Sequence, residues 1–408
     1  MRLHSILATL LIPIAGFLSA QTPELTRLPL SELQSLVEQG DAAAMVQLGL
    51  RYNYGPGLPF DLEKTRHWFE QAASKGHPTA LGLCLLNGFG REQDRDLGFQ
   101  TLEKAAAAGD SIATRLLGRC HQYGWGCEAD AAKAFEFYQR ADAMSRDNAT
   151  VGTLASCHLD GIGCEPDAAK AVALFEEAAA LGSSPSCLSL GHYYNEKDPA
   201  KANDCYRKAG ELGSGLGYRY LGINYQNGVG TEKDPAKANE HYLKAGELGD
   251  GGGYRYLGNN HANGAGTEKD LAKANDYYQL GADLGDSTAM NNLGNNLLKG
   301  EGIGRNPAKG VEWLQKSADL GNSFGQWNLG KLHASGRAGV ERDFSKAFEL
   351  FTKASEQNHS AATYDLAACY EYGLGTEKDL AKARELYQKA LDLGDTSAAA
   401  KVQKLSNP

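Results

Sequence analysis

The chain has 408 residues, of which 42% are hydrophobic, and a formal net charge of -9. It is long enough to bury a large core. Its acidity and the absence of any long Lys/Arg run exclude nucleic acid as a partner, because phosphate binding needs a basic footprint, and argue against anionic membrane surfaces.

The first elements form an export pattern. Met1-Arg2 gives a short charged start, residues 6–18 form an apolar run broken by Pro13 and Gly16, and Ser19-Ala20 offers a small-residue cleavage site before Gln21. The run is short for a membrane span. Residues 1–20 therefore read as a signal peptide, and the mature chain as periplasmic or secreted with no membrane insertion after cleavage. Residues 21–39 read as a linker and a capping helix, in which Ser31-Glu32-Leu33-Gln34 matches a capping box.

From residue 40 to 394 one pattern recurs. Tyr218-Arg219-Tyr220-Leu221-Gly222 and Tyr254-Arg255-Tyr256-Leu257-Gly258 are near copies 36 residues apart. Aligned on the small residue of this step, which serves as the anchor of each unit, ten units have their anchors at Gly49, Gly82, Gly118, Ala155, Gly191, Gly222, Gly258, Gly294, Gly330 and Ala367, at offsets of 31 to 37 residues. Each unit predicts a helix A with apolar residues at helical spacing, a Gly-x-Gly turn, and a helix B. Asp234, Asp270 and Asp379 stand where helix B begins and suit its N-cap. Pro199, Pro235 and Pro307 follow at the first helical position, where a missing N–H costs nothing. The second unit is about three residues short within helix A. The fifth lacks about five residues, including its Gly-x-Gly, between Tyr194 and Asp198. Residues 395–408 read as a C-terminal capping helix and tail.

The motif A-x-x-x-L-G-x-x-Y, G-x-G, D-x-x-K-A-x-x-x-Y-x-K-A resembles the Sel-one-like repeats, relatives of the tetratricopeptide repeats. The resemblance implies an all-α, right-handed superhelical solenoid of about ten helix-turn-helix repeats whose A helices line the concave side. It also implies a non-catalytic scaffold or adaptor that binds a protein or peptide partner in that groove. A binder of cell-wall glycan or peptidoglycan fragments is the alternative from another ligand class, and a beta-lactam-related hydrolase is a third reading. The serine form of that hydrolase chemistry needs Ser-x-x-Lys, which this sequence lacks, as it lacks a His-Glu-x-x-His zinc motif and a phosphate loop. No enzyme, cofactor or metal is therefore expected. Gly-x-Gly lies between two helices, so it is turn chemistry and not a dinucleotide fingerprint.

By analogy with tetratricopeptide units, positions three before and one and four after the anchor should face the groove. The polar and aromatic candidates there are Arg115, Arg119, Gln122, Arg219, Gln226, Arg255, Asn259, Asn291, Asn295, Trp327 and Lys331. A second set, Asn224, Asn260 and Asn296, recurs two residues after the anchor, either as a ligand-gripping ladder or as packing between units. His121, His158, His261 and His333 occupy a position where other units carry Tyr, which favours packing. Eight cysteines in an exported chain permit disulfides. Cys120 with Cys127 and Cys157 with Cys164 are candidate pairs within a unit, as is Cys187 with Cys205, while Cys84 and Cys369 stay free. Zinc held by Cys120, His121 and Cys127, and by their counterparts, is the competing reading.

Overall fold

Two capping devices write the hairpin into each repeat. The computed structural model describes residues 25, 28–54, 58 and 61–406, so the signal-peptide reading of residues 1–20 lies outside them. Among the described residues there are 22 helices and no strand. Asp270 opens the helix Leu271–Asp283 by accepting from the Lys273 N–H, and Asp379 caps Leu380–Asp392 through Lys382 in the same way. Pro199, Pro235 and Pro307 each begin a helix. Helix A ends on a left-handed glycine, as at Gly264 with φ 76°, where a Cβ would clash.

The chain divides into two compact units. The first comprises residues 1–234 with 247–249 and holds repeats one to five and helix A of repeat six. The second comprises residues 235–246 with 250–408 and holds helix B of repeat six, repeats seven to ten and the final helix Ala398–Ser406. Helix A of repeat two is short, Pro78–Asn87, and that of repeat five ends at Tyr194. In repeat five the Asp198 N–H bonds directly to the Tyr194 carbonyl, which closes the hairpin without glycines. One expectation fails at the N-terminus. The helix Leu30–Glu38 starts after Pro29, so Ser31 lies inside it and no capping box forms.

Within a repeat, a large side chain of helix B seats on the small anchor of helix A. Tyr138, Tyr206, Tyr278 and Phe351 are all 5% exposed or less. A Cβ added at Gly118, Gly191, Gly258 or Gly330 would meet the respective ring at 2.3–2.7 Å. Where the anchor is alanine, the partners Phe175 and Tyr387 are buried in the same way.

Between repeats, the second glycine of the turn rests on the first turn of the preceding helix B. A Cβ at Gly126 would lie 2.2 Å from the Arg95 carbonyl oxygen, and at Gly163 2.1 Å from that of Ala131. In the second unit the same contact recurs at Gly266 on Pro235, Gly302 on Leu271 and Gly375 on Phe344. All five have φ between 66° and 73°.

A second junction contact couples the position two after the anchor to the fifth residue of the preceding helix B. The Asn224 amide donates to Asn203 Oδ1 at 2.7 Å, Asn260 to Asn239 at 2.7 Å, and Asn296 to Asn275 at 2.8 Å. The receiving amides then donate to the turn carbonyls of Val229, Ala265 and Glu301. These asparagines hold repeats together, which decides between the two sequence readings in favour of packing. The same two positions carry Phe99 with Cys120, Phe135 with Cys157 and Phe348 with Cys369 at other junctions. Six junctions thus fall into two types, amide with amide and Phe with Cys, while Arg66 with Cys84, Val172 with Tyr193 and Val311 with Leu332 stand at these positions in the other three.

Two outcomes follow from these contacts. Asn260→Cys alone should destabilise by about 1–3 kcal/mol, because Asn239 loses its donor in a buried site. Adding Asn239→Phe should recover about 1 kcal/mol or more of that loss, measured by urea unfolding; strict additivity would show that the two positions are not a coupled junction. Gly266→Ala and Gly285→Ala both place alanine at positive φ, but Gly285 has open space around it. Gly266→Ala should therefore cost roughly 1–3 kcal/mol more, the usual range for overpacking.

Candidate functional site

Helix A carries the candidate groove positions, and in the second unit the A helices of repeats seven, eight and nine touch their neighbours directly. In repeats two, three, seven and nine the side chain three before the anchor reaches the N-cap of the next helix A. Thr79 donates to Asp110. Arg115 lies 3.3 Å from Asp147 and from Thr150 Oγ1. Arg255 Nε meets both oxygens of Asp286 at 3.1 Å. Trp327 lies tilted against His359 with ring centroids 5.1 Å apart, and His359 is itself the N-cap of Ser360–Tyr372. This clasp corrects the reading of Arg115: at 2% exposure it is a buried junction residue. Arg255 likewise has a carboxylate partner of its own. Asn291, at 6% exposure, is the buried hub of an amide chain.

A second internal demand falls on positions one and four after the anchor. A buried tyrosine needs a partner for its hydroxyl, and the groove residue supplies it. Tyr138 donates to Gln122 Oε1 at 2.6 Å, Tyr278 to Asn259 Oδ1 at 2.8 Å, and Tyr387 to Glu371 Oε2 at 2.7 Å. Tyr206 lies 3.1 Å from His192 Nδ1. Repeats four, eight and nine carry Phe175, Leu314 and Phe351 at this place, so their groove residues have no such duty.

In repeats seven to nine the amides join. Asn259 accepts from Asn292, which accepts from Asn291. Asn291 Oδ1 accepts from Asn295 at 3.2 Å and from Asn328 at 2.9 Å. Asn259 Nδ2 and the side-chain oxygens of Asn295 and Asn328 bond no other described residue. Next to Asn328, the Trp327 indole donates to Asp365 Oδ2 at 2.7 Å, and the Lys331 ammonium sits 3.3 Å from the indole centroid. Burial lowers the Lys331 pKa and raises that of Asp365, the latter partly offset by the indole N–H. Arg119 lies 5.7 Å over Trp125 and Arg219 5.4 Å over Tyr220; both, like Gln226, are half-buried. Asn292, Asn328 and Asp365 escaped the sequence reading, although they share one position, two before the anchor.

None of the eight cysteines is bonded to another in this structure. Burial pushes Cys120 and Cys157 up to about 12, and the facing Cys127 and Cys164 thiols add to it. Cys187 is raised to about 11, again with a contribution from Cys205. Each candidate partner is thus an electrostatic neighbour. The outer thiols lie against histidine: Cys127 Sγ is 3.6 Å from His121 Nδ1 and Cys164 Sγ is 3.5 Å from His158 Nδ1. No group of three or more potential ligands converges on a metal position among the described residues. No helix there is long and apolar enough to cross a membrane.

Removing one partner of a buried charge pair is costlier than removing an exposed one. Arg115→Ala should therefore lower stability by about 3–5 kcal/mol, read by denaturant unfolding, whereas Lys64→Ala, which breaks an exposed pair with Asp61, should cost less than about 1 kcal/mol. Equal losses would mean that the Arg115–Asp147 contact is not the buried clasp described.

Comparison with known proteins agrees with this architecture. The Sel1 repeat family model matches ten segments between residues 42 and 395. Among curated relatives, a Neisseria meningitidis protein of uncharacterised role is 28% identical over 137 residues, 25% of this chain and 29% of that protein. The chitin synthase regulator SKT5 of Saccharomyces cerevisiae is 33% identical over 99 residues, 23% of this chain and 14% of the regulator. The chain thus spans less than a third of either relative. Among solved structures, a protective antigen of uropathogenic Escherichia coli is 26% identical, with 93% of this chain and 94% of the antigen covered and a TM-score of 0.45. A Sel1 repeat protein from Oxalobacter formigenes is 23% identical, covering 53% of this chain and 87% of that one, with a TM-score of 0.47. With ten successive matches running through nearly all of the helical hairpins described above, the chain belongs to the Sel1 repeat family.

Proposed function

We propose that this chain is a non-catalytic scaffold that binds an extended peptide segment of a protein partner along helix A of repeats seven to nine. Membership of a repeat family that generally serves protein interaction supports the class. The amide chain from Asn259 to Asn328 carries the location. It presents Asn259 Nδ2 and the Asn295 and Asn328 oxygens on three successive A helices, and every peptide unit of an extended segment offers one donor and one acceptor to match. Such a grip tolerates many sequences. Asn295 and Lys331 stand in repeats whose helix B has no tyrosine hydroxyl to satisfy, so their presence is not explained by the core. Trp327 adds an aromatic anchor of the kind that dominates binding energy.

The same reading places the mature protein in the periplasm or outside the cell, with Cys120–Cys127, Cys157–Cys164 and Cys187–Cys205 closing as disulfides there. N-terminal sequencing of the exported protein should begin at Gln21, and non-reducing peptide mapping should recover those three pairs. An intact Met1 together with six thiols would remove this part of the proposal.

Asn295→Ala with Asn328→Ala tests the binding surface, since both only donate to Asn291 and neither holds a tyrosine. Partner affinity, measured on a peptide array and by titration, should fall roughly tenfold for two hydrogen bonds lost, with a fall in melting temperature no larger than that of Asn291→Ala, which removes the same internal bonds. A fall in melting temperature with unchanged affinity would assign both residues to packing. Binding to glycan strands with none to peptides would overturn the ligand class.

A further inference from the structure

Repeat four lacks the clasp between successive A helices and has no side chain at all in its place. In repeat four the position three before the anchor is Gly152, and the next helix A, Ser184–Tyr194, is capped by Ser183 in place of an aspartate. Where repeat three carries Arg115 against Asp147, repeat four has neither the long side chain nor the carboxylate. The space left is a cavity of about 140 Å³ in the first unit. Its walls are Asn148, Ala149, Gly152, Thr153 and Ser156 on one A helix and Pro185, Ser186 and Ser189 on the next, together with Phe175 and Ser183.

The lining is uncharged and rich in hydroxyls, and its hydrogen bonds are only partly satisfied from within. Thr153 donates to the Ala149 carbonyl and Ser156 to that of Gly152, which leaves their lone pairs available. Ser186 donates to Ser183 Oγ at 2.8 Å, and the Ser183 proton finds no acceptor among the described residues although the residue is only 6% exposed. Asn148 and Ser189 make no side-chain bond to a described residue and add a donor and an acceptor each. Phe175 has no hydroxyl, so none of this polarity answers a buried tyrosine. The cavity exceeds several times the roughly 30 Å³ share of one water, so it has room for a side chain.

We propose that this cavity is a specificity pocket that takes a carboxamide side chain, glutamine or asparagine, from a partner's peptide segment lying along the first unit, a step that rests on the peptide-scaffold reading above. A carboxamide offers two N–H donors and a carbonyl acceptor, which matches the mixed lining. A lysine, arginine or carboxylate side chain would be desolvated with no counter-charge in the walls. A leucine would fill the volume but leave the Ser183 and Ser189 hydroxyls without a new partner. The ligand side chain thus fills the place that the arginine of repeat three fills from within the chain.

Blocked single residues test the pocket without any peptide partner. N-acetyl, N-methylamide forms of Gln, Asn, Leu, Lys and Glu are presented to the full mature chain and followed by saturation-transfer NMR. The Gln and Asn side-chain signals should exceed the other three by roughly fivefold, the worth of about one net hydrogen bond. Gly152→Leu fills the cavity and should bring them to background. Its Cβ would lie 2.9 Å from Ser186 Oγ, so Thr153→Val with Ser189→Ala serves as a second variant that keeps the volume, and there Gln should fall to parity with Leu. Equal signals from all five probes, or a Gln signal unchanged in both variants, would overturn the pocket. Gln binding in a chain that captures no peptide would keep the pocket and remove the scaffold reading; peptide capture with no Gln preference would do the reverse.

Discussion

The backbone of one repeat lies directly on the backbone of the one before, and this contact sets where everything else can be. At Gly163 the distance left for a Cβ is 2.1 Å from the Ala131 carbonyl oxygen, and at Gly375 it is 2.1 Å from that of Phe344. Only a residue without a side chain, in a left-handed conformation, can make that approach. It fixes the step from hairpin to hairpin in each unit. Where the step is so fixed, the residue two after an anchor can meet the fifth residue of the preceding helix B, as Asn224 meets Asn203 and Asn260 meets Asn239, and the residue three before an anchor can reach the next N-cap, as Arg115 and Arg255 do. The amide pairs, the Phe–Cys pairs and the Arg–Asp clasps are side-chain solutions to a geometry that glycine imposes.

Those solutions differ in kind. A ring over a thiol gains from area removed from water. An amide pair gains little net energy but is costly to leave half made, so it fixes register more than it adds stability. The junctions from repeat five to repeat eight use the second kind, and each receiving amide also ties down a turn carbonyl. Buried tyrosines impose a related demand, since their hydroxyls are answered by Gln122, Asn259 and Glu371. Much of the polarity on the A-helix face therefore serves the repeat itself.

Function belongs to the polarity left over. Where helix B carries Phe or Leu in place of Tyr, the facing polar residues have no tyrosine hydroxyl to answer. This is the case for Asn295 and Lys331 in repeats eight and nine, and for Ser156 beside the cavity of repeat four. A scaffold built of near-identical units gains a distinct surface by relaxing an internal duty in a few of them.

The sequence by itself determined the fold class, the number of repeats, the helix caps and the shortened second and fifth units, because period, Gly, Pro and Asp act locally and each carries its own conformational rule. It also marked the A-helix positions at which candidate groove residues stand. What only the tertiary structure decided is which of them are available. Arg115 and Arg255 look like ligand anchors in one dimension, yet each meets an aspartate 31 or 32 residues further on. Asn291 becomes a buried hub because Asn328, on the next helix, reaches it. The cavity beside Gly152 had no sequence signal of its own, since it is an absence shared by two repeats. Helical period places a side chain on a face; whether that face is open depends on the residue packed against it from the neighbouring repeat, and that contact exists only once the hairpins are stacked.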